Sequence, residues 1–174
     1  MDFSFLGKLT AQQQANANLI LNECESYSLL LGQTAYVLGT AWHESKFKPV
    51  EEIGKGKGKP YGSKIKYSGK PYYIPDKLYY GRGFVQLTWF ELYDKFGKLL
   101  KLDLLNHPEL ALEPGNAVKI LVYGMINGLF TGAKLTRFVN SKSVDFINAR
   151  KVINGLDKAQ LISGYADKIL RELS

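Results

Sequence analysis

His43-Glu44 and Glu51-Glu52 put two carboxylate sites seven or eight residues apart, with Pro49 turning the chain between them. Beyond a lysine- and glycine-rich stretch comes Tyr79-Tyr-Gly-Arg-Gly-Phe-Val-Gln-Leu-Thr88, a glycine-flanked Arg82 followed by Gln86-x-Thr88. Two carboxyls on opposite walls of a gap can divide acid–base work. A neutral one protonates an oxygen leaving group, and an ionised one attacks the substrate or activates water. An amide and a hydroxyl side chain beside them suit the polar groups of a sugar polymer. Glycosidic hydrolysis is the chemistry these residue types and spacings fit. On spacing alone, Glu51 and Glu52 are both candidates for the second carboxylate. The plain alternative for Glu44 is a salt-bridged helix end, with Arg82 as its partner.

The element that must deliver Glu44 runs from about Leu30 to Trp42 and is apolar on every face. That pattern predicts a helix through the core whose C-terminal end meets solvent where His43 and Glu44 fall. A glutamate there is partly desolvated and faces the negative end of the helix dipole, and both conditions favour the neutral acid. Ahead of it, Thr10 and Gln13 form a capping-box pattern for a helix to about Cys24, and Glu25 to Ser28 reads as a polar break. From Ile53 to Pro75 the composition changes. Gly54-Lys-Gly-Lys-Gly-Lys59 opens the stretch, and no acidic residue follows until Asp76. Glycine at this density argues against helix. Ile65 to Tyr67 and Tyr72 to Ile74, around Ser68-Gly69, predict a short β-hairpin. The excursion is either a plain surface loop or a basic flap flanking a cleft, with Tyr61, Tyr67, Tyr72 and Tyr73 among the lysines.

Downstream, Thr88 is expected to cap a helix to about Phe96. Pro114 starts an apolar helix that Asn127-Gly128 stops. Ser143 is expected to cap a helix ending at Asn154-Gly155, and Asp157 with Gln160 to cap the last one, whose stripe is Leu161, Tyr165, Ile169 and Leu173. The chain therefore reads as mainly α with one β excursion at about 53–75, and as a single domain over 1–174 without repeat or linker.

At 174 residues the chain can bury a proper core, and 45% hydrophobic with 22% charged residues is ordinary for a soluble globular protein. A formal net charge of +7 favours an anionic partner: nucleic acid, an acidic membrane face, or an acidic polymer such as a bacterial cell wall. Cys24, the single cysteine, rules out an internal disulfide framework, and its neighbours Leu21 and Tyr27 suit a small buried residue better than a nucleophile. Met1 to Lys8 show neither the basic nor the apolar region of a signal peptide, and no apolar window reaches the ~20 residues of a membrane helix.

Other chemistries fail on their own motifs. Gly81-x-Gly83 has Gln86 where a dinucleotide fingerprint needs its third glycine, and an upstream helix where it needs a strand. Gly54 to Gly62 lacks the Gly-Lys-Ser/Thr end of a phosphate loop. His43-Glu44-Ser-Lys-Phe47 misses the second histidine of a zinc protease, and with His107 as the only other histidine no histidine-based zinc site is expected. No cofactor is required. The lysines cluster in one loop without a recognition motif, so no nucleic-acid partner is expected.

Ala41-Trp-His-Glu44, Tyr80-Gly-Arg-Gly-Phe-Val-Gln-Leu-Thr88 and Asn148-Ala-Arg-Lys-Val-Ile-Asn-Gly155 together resemble the family-19 glycoside hydrolases, the class I-like chitinases. They resemble more closely the short bacteriophage and prophage members that act as endolysins. Pro108-Glu-Leu-Ala-Leu112, Ala117-Val-Lys-Ile-Leu121, Phe130-Thr-Gly132 and Lys134-Leu135 extend the likeness over about residues 34–170. The resemblance implies a lysozyme-like, mainly helical fold with two lobes around a cleft, and hydrolysis with inversion of a β-1,4 bond between N-acetylated sugars. Carried over by position, Glu44 is the general acid, Glu52 the base with Glu51 as fallback, and Thr88 the hydroxyl that helps hold the attacking water. Gln86 would bind sugar N-acetyl or hydroxyl groups, Asn154 would line the cleft from the far lobe, and Tyr80 and His43 would lie near the substrate. Arg82 and Arg150 would be structural or charge-tuning, with Arg150 also among the expected substrate-binding residues. Leu92 stands where the family often has an asparagine, which removes one sugar contact.

The expected function is therefore that of a monomeric endolysin. It would act as a muramidase on peptidoglycan glycan strands, be held in the host cytoplasm until lysis, and then be released onto the cell wall. The lysine-rich loop at 55–70 would meet an anionic wall or membrane surface. A chitinase and a non-catalytic basic wall-binding protein are the alternatives.

Overall fold

The computed structural model describes residues 1–59, 61 and 78–174. In chain order its main elements are α1 (Ala11–Ser26), α2 (Leu31–Ser45), β1 (Val50–Glu51), β2 (Arg82–Gly83), α3 (Phe90–Leu100), α4 (Pro114–Asn127), α5 (Phe146–Ala149) and α6 (Ala159–Leu173), joined by short 3-10 turns. The two strands pair antiparallel, with Val50 opposite Gly83 and Glu51 opposite Arg82. The β-hairpin expected at 65–74 lies outside the described residues.

Two hydrophobic clusters organise these elements. The larger draws Ile20 and Cys24 from α1, Tyr36, Val37, Leu38 and Ala41 from α2, Leu121 and Met125 from α4, and Ile162, Ala166 and Ile169 from α6. The smaller gathers Tyr79, Leu87, Tyr93, Phe96, Leu104 and Ala111 around α3 and takes Ile120 from α4. Helix α4 is apolar nearly all round because each lobe claims one of its faces. The fold is mainly helical, two-lobed and lysozyme-like, with the small sheet at the junction.

Helix α2 is the buried helix the sequence predicts: its side chains are buried continuously from Gln33 to Trp42. Its exit is pinned by α1. Gln13 Nε2 donates to the Lys46 carbonyl at 2.9 Å and Asn16 Nδ2 to the Phe47 carbonyl at 2.8 Å. These bonds satisfy carbonyls at a chain reversal where Lys46 and Phe47 both adopt positive φ, at 51° and 58°. Helix α1 starts as expected. The Gln13 N–H donates to Thr10 Oγ1 at 3.2 Å, and the Thr10 N–H donates to Gln13 Oε1 at 2.9 Å. Helix α1 runs on to Ser26, into the expected polar break, and α4 ends at Gly128 with φ of 69°. Cys24 is fully buried, and burial pushes its thiol up to about 12.

Three expected caps are corrected. Thr88 does not cap α3; Trp89 precedes that helix with φ of 73° and no side chain caps it. Ser143 lies in a tight turn, its carbonyl accepting the Asn140 N–H, and Asp145 is the cap, with Oδ1 accepting the Asn148 N–H at 2.9 Å. The helix expected there is α5 followed by a 3-10 turn over Arg150–Val152. Lys158, with φ of 59°, precedes α6 in place of Asp157, whose carbonyl instead accepts from Arg150 Nε at 3.0 Å. The α6 stripe holds for Ile169, which is fully buried, and for Tyr165 and Leu173, which pack against the larger cluster, but not at its start. Leu161 is 47% exposed, while Ile162 and Ala166 are fully buried. The reason is a close approach to α2, where a Cβ on Gly39 would lie 3.0 Å from the Ala166 nitrogen. Small residues set the closest approach of that seam, with Ile162 and Ile169 buried on either side of it.

Candidate active site

One wall of a cleft of about 440 Å³ comes from the end of α2 and from the 3-10 turn after α5, which supply Glu44, Arg150, Ile153 and Asn154. Arg150 is the anchor. Its side chain is 5% exposed, Nε is fixed by the Asp157 carbonyl, and Nη1 meets Glu44 Oε1 at 2.6 Å. The expected partner of Glu44, Arg82, is elsewhere, so the helix-end salt bridge exists but with a different arginine. Partial burial and the carbonyl end of α2 thus act on Glu44 together with a fixed guanidinium.

The rest of the lining comes from the strand pair and the hairpin that follows it, with Glu52, Val85, Gln86 and Thr88, and from Tyr61. The Glu52 N–H donates to the Gly81 carbonyl at 2.7 Å, continuing the β1–β2 ladder by one bond. Its carboxylate accepts from the Tyr61 hydroxyl at 2.9 Å and from the Gly81 N–H at 3.1 Å. Two donors thus fix both oxygens of Glu52. Gln86 sits at the hairpin tip with φ of 55°, and its Nε2 donates to the Val50 carbonyl at 3.0 Å. A Cβ at Gly81 would strike Gln86 Oε1 at 2.6 Å, so glycine is what lets the two strands and this side chain pack together.

The β-strand alternation separates the two neighbouring glutamates. Glu52 faces the cleft. Glu51 accepts from the Tyr80 hydroxyl at 2.7 Å and stands 3.6 Å from Lys55 Nζ and 3.8 Å from Arg82 Nε. The Tyr80 bond, helped by these cations, holds Glu51 below the usual carboxylate range. Arg82 is 5% exposed; it stacks 3.6 Å from the Tyr80 ring and donates to the Leu78 carbonyl and the Tyr93 hydroxyl.

Of the residues expected at the site, Glu44, Glu52, Gln86, Thr88, Arg150 and Asn154 line one cleft. Tyr80 and His43 do not: Tyr80 is buried behind the wall against Arg82, and burial lowers His43 from its ordinary value beside the α2 end. Tyr61 is the residue spacing missed. It lies in the glycine-lysine stretch, where the interleaved tyrosines were the only signal. Among the described residues, no group of three or more histidine, cysteine, aspartate or glutamate side chains could hold a metal, and no helix is long and apolar enough to cross a membrane.

No protein family scanned matches the chain. A stretch of 36 residues, 21% of the chain, is 56% identical to part of inactive chitinase-like protein 1 of Hevea brasiliensis. This stretch of the chain is chitinase-like. The match spans 12% of that relative's length. That relative is named as inactive, a description of the relative alone.

Proposed function

We propose that this chain is a glycoside hydrolase of the endolysin type, a muramidase that cuts the β-1,4 bond between N-acetylmuramic acid and N-acetylglucosamine with inversion. The observation that carries the reading is that Glu44 and Glu52, from separate segments of the chain, line one polar cleft, with Gln86, Thr88, Arg150 and Asn154 around them. Glu44 protonates the leaving glycosidic oxygen. Arg150, locked by the Asp157 carbonyl, fixes the direction in which that acid points. Glu52, held by Tyr61 and Gly81, takes a proton from water on the other face of the sugar, and the Thr88 hydroxyl helps hold that water. Gln86 and Asn154 offer amides to N-acetyl and hydroxyl groups. Glu51 is already engaged by Tyr80 and Arg82, which supports Glu52 as the base. The net charge of +7 suits a substrate embedded in an anionic wall.

A true chitinase is the second reading, favoured by the chitinase-like stretch. Mass spectrometry of soluble fragments from purified peptidoglycan separates the two. A reducing-end N-acetylmuramic acid is the expected product; a reducing-end glucosamine, or cleavage confined to chitin oligomers, overturns the muramidase assignment. Glu44→Gln and Glu52→Gln should each lower kcat at least about 100-fold, the lower end of what one positioned acid or base supplies. Equal wall lysis by wild type and Glu44→Gln would instead mean a charge-driven, non-enzymatic effect.

A further inference from the structure

The described part of the glycine-lysine loop is not irregular. The Lys55 N–H donates to the Glu52 carbonyl, the Lys57 N–H to the Gly54 carbonyl and the Lys59 N–H to the Gly56 carbonyl, each at 2.9 Å. Gly54, Gly56 and Gly58 adopt φ of 77°, 71° and 74°, which makes the successive tight turns possible. The alternating sequence is thus a ribbon of linked turns, and each turn exits on an exposed lysine. The ribbon is tied to the cleft at both ends. Glu52 precedes it, Tyr61 follows it, and the Tyr61 hydroxyl bonded to Glu52 closes the loop. Ile53, wholly exposed, stands at its start beside the cleft carboxylate.

A cation ribbon fused to one wall of a sugar-cutting cleft has no use for a neutral glycan. It does suit the stem peptides of peptidoglycan, which leave the muramic acid lactyl group next to the cleaved linkage and carry free carboxylates among short aliphatic side chains. We infer that Lys55, Lys57 and Lys59, with Ile53, form a stem-peptide subsite that makes the cleft prefer peptide-bearing glycan over bare glycan. This rests on the muramidase reading and names what sets its substrate preference. A membrane surface fits less well, because Ile53 is the only apolar side chain between Glu52 and Lys59 and two carboxylates precede it.

The test uses the full chain and a Lys55→Gln, Lys57→Gln, Lys59→Gln triple variant on two substrates: purified peptidoglycan, and the same glycan stripped of stem peptides by an amidase. The wild type should cut intact strands better than stripped ones. The triple variant should lose roughly three- to tenfold in kcat/KM on intact strands and nothing on stripped ones, as expected for a few solvent-screened ion pairs. The difference should shrink with added salt, and the triple Lys→Arg variant should restore it. The inference is overturned if the triple variant matches wild type on both substrates. It is equally overturned if both activities fall together, which would mean that the loop only supports Glu52. If the wild type cuts neither glycan, the muramidase reading fails. Co-sedimentation of wild type and triple variant with intact and stripped glycan then tests the subsite by itself, and lysine-independent binding overturns it. Lysine-dependent binding to vesicles of anionic phospholipid that matches or exceeds binding to intact peptidoglycan also overturns it, in favour of a membrane contact.

Discussion

At the scale of single residues, the two carboxylates of the cleft are held by different means. Glu44 is gripped by one buried guanidinium, and Glu52 by a phenol and a backbone N–H. Tyr61 is the cheaper contact to remove, because its ring keeps an edge-on contact with Trp89 at 5.0 Å when the hydroxyl is lost. Tyr61→Phe is therefore expected to cost less than about 1 kcal/mol of stability in urea melts, the usual net worth of one hydrogen bond. Its kcat should fall by roughly tenfold, as Glu52 loses one of two orienting bonds. An unchanged kcat would mean that the Gly81 N–H alone is enough. Glu51 gives a separate, pH-dependent expectation. Its folded pKa lies below the ordinary 4.5, chiefly through the Tyr80 hydroxyl. Between that value and the lower folded one, the unfolded chain binds more protons than the native one. The stabilisation is present above pH 4.5 and is lost as pH falls through the folded value. Tyr80→Phe should therefore flatten the acid limb of a stability–pH curve while leaving glycan cleavage near wild type, since Tyr80 does not line the cleft. An unaltered acid limb would show that Lys55 and Arg82 suffice.

At the scale of elements, α2 is the part on which the site depends, and its seam with α6 sets where Glu44 sits. Two helical glycines make a controlled comparison. A Cβ at Gly164 in α6 meets nothing within 4 Å, so Gly164→Ala should stabilise by about 0.5–1 kcal/mol through helix propensity alone. A Cβ at Gly39 would press on the Ala166 backbone at 3.0 Å, and neither helix can yield without moving the other. Overpacking costs of about 1–3 kcal/mol then outweigh the same propensity gain, so Gly39→Ala should be net destabilising in urea melts. Gly39→Ala should also lower kcat by displacing Glu44. The same seam depends on contacts that sequence pattern does not carry. A stripe of large side chains finds Ile169 on α6 but takes Leu161 for a core residue and passes over Ala166, whose contact with Gly39 periodicity of bulk does not register. Ser143 and Asp157 suit caps by type and spacing, but the Val139–Val144 pairing and the demand of Arg150 for a carbonyl decide otherwise. Glu44, Gln86 and Thr88 are legible because each lies within a short, strongly patterned segment, whereas spacing alone leaves Glu51 and Glu52 equal, and it is the strand pairing that turns Glu52 to the cleft. The Glu44–Arg150 pair is not legible, because 106 residues separate its members and no local rule couples them.

At the scale of the whole molecule, the question is whether the two lobes behave as one body. Helix α4 argues that they do. Ile120 belongs to the smaller cluster and its neighbour Leu121 to the larger, and a Cβ on Gly124 would clash with Phe130, a ring that packs against both. Neither lobe can lose α4 and keep its core, so unfolding one exposes apolar surface in the other. Ile120 is 2% exposed, and Ile120→Ala should cost about 2–5 kcal/mol, the transfer and cavity terms of a buried aliphatic deletion. If α4 couples the lobes, that loss appears as a shift of one cooperative transition. Calorimetric and van't Hoff enthalpies should then agree, and circular dichroism should coincide with the fluorescence of Trp42 and Trp89, which report on α2 and on the start of α3. Two resolved transitions in the Ile120→Ala variant, with Trp89 changing first, would mean that the smaller lobe melts alone.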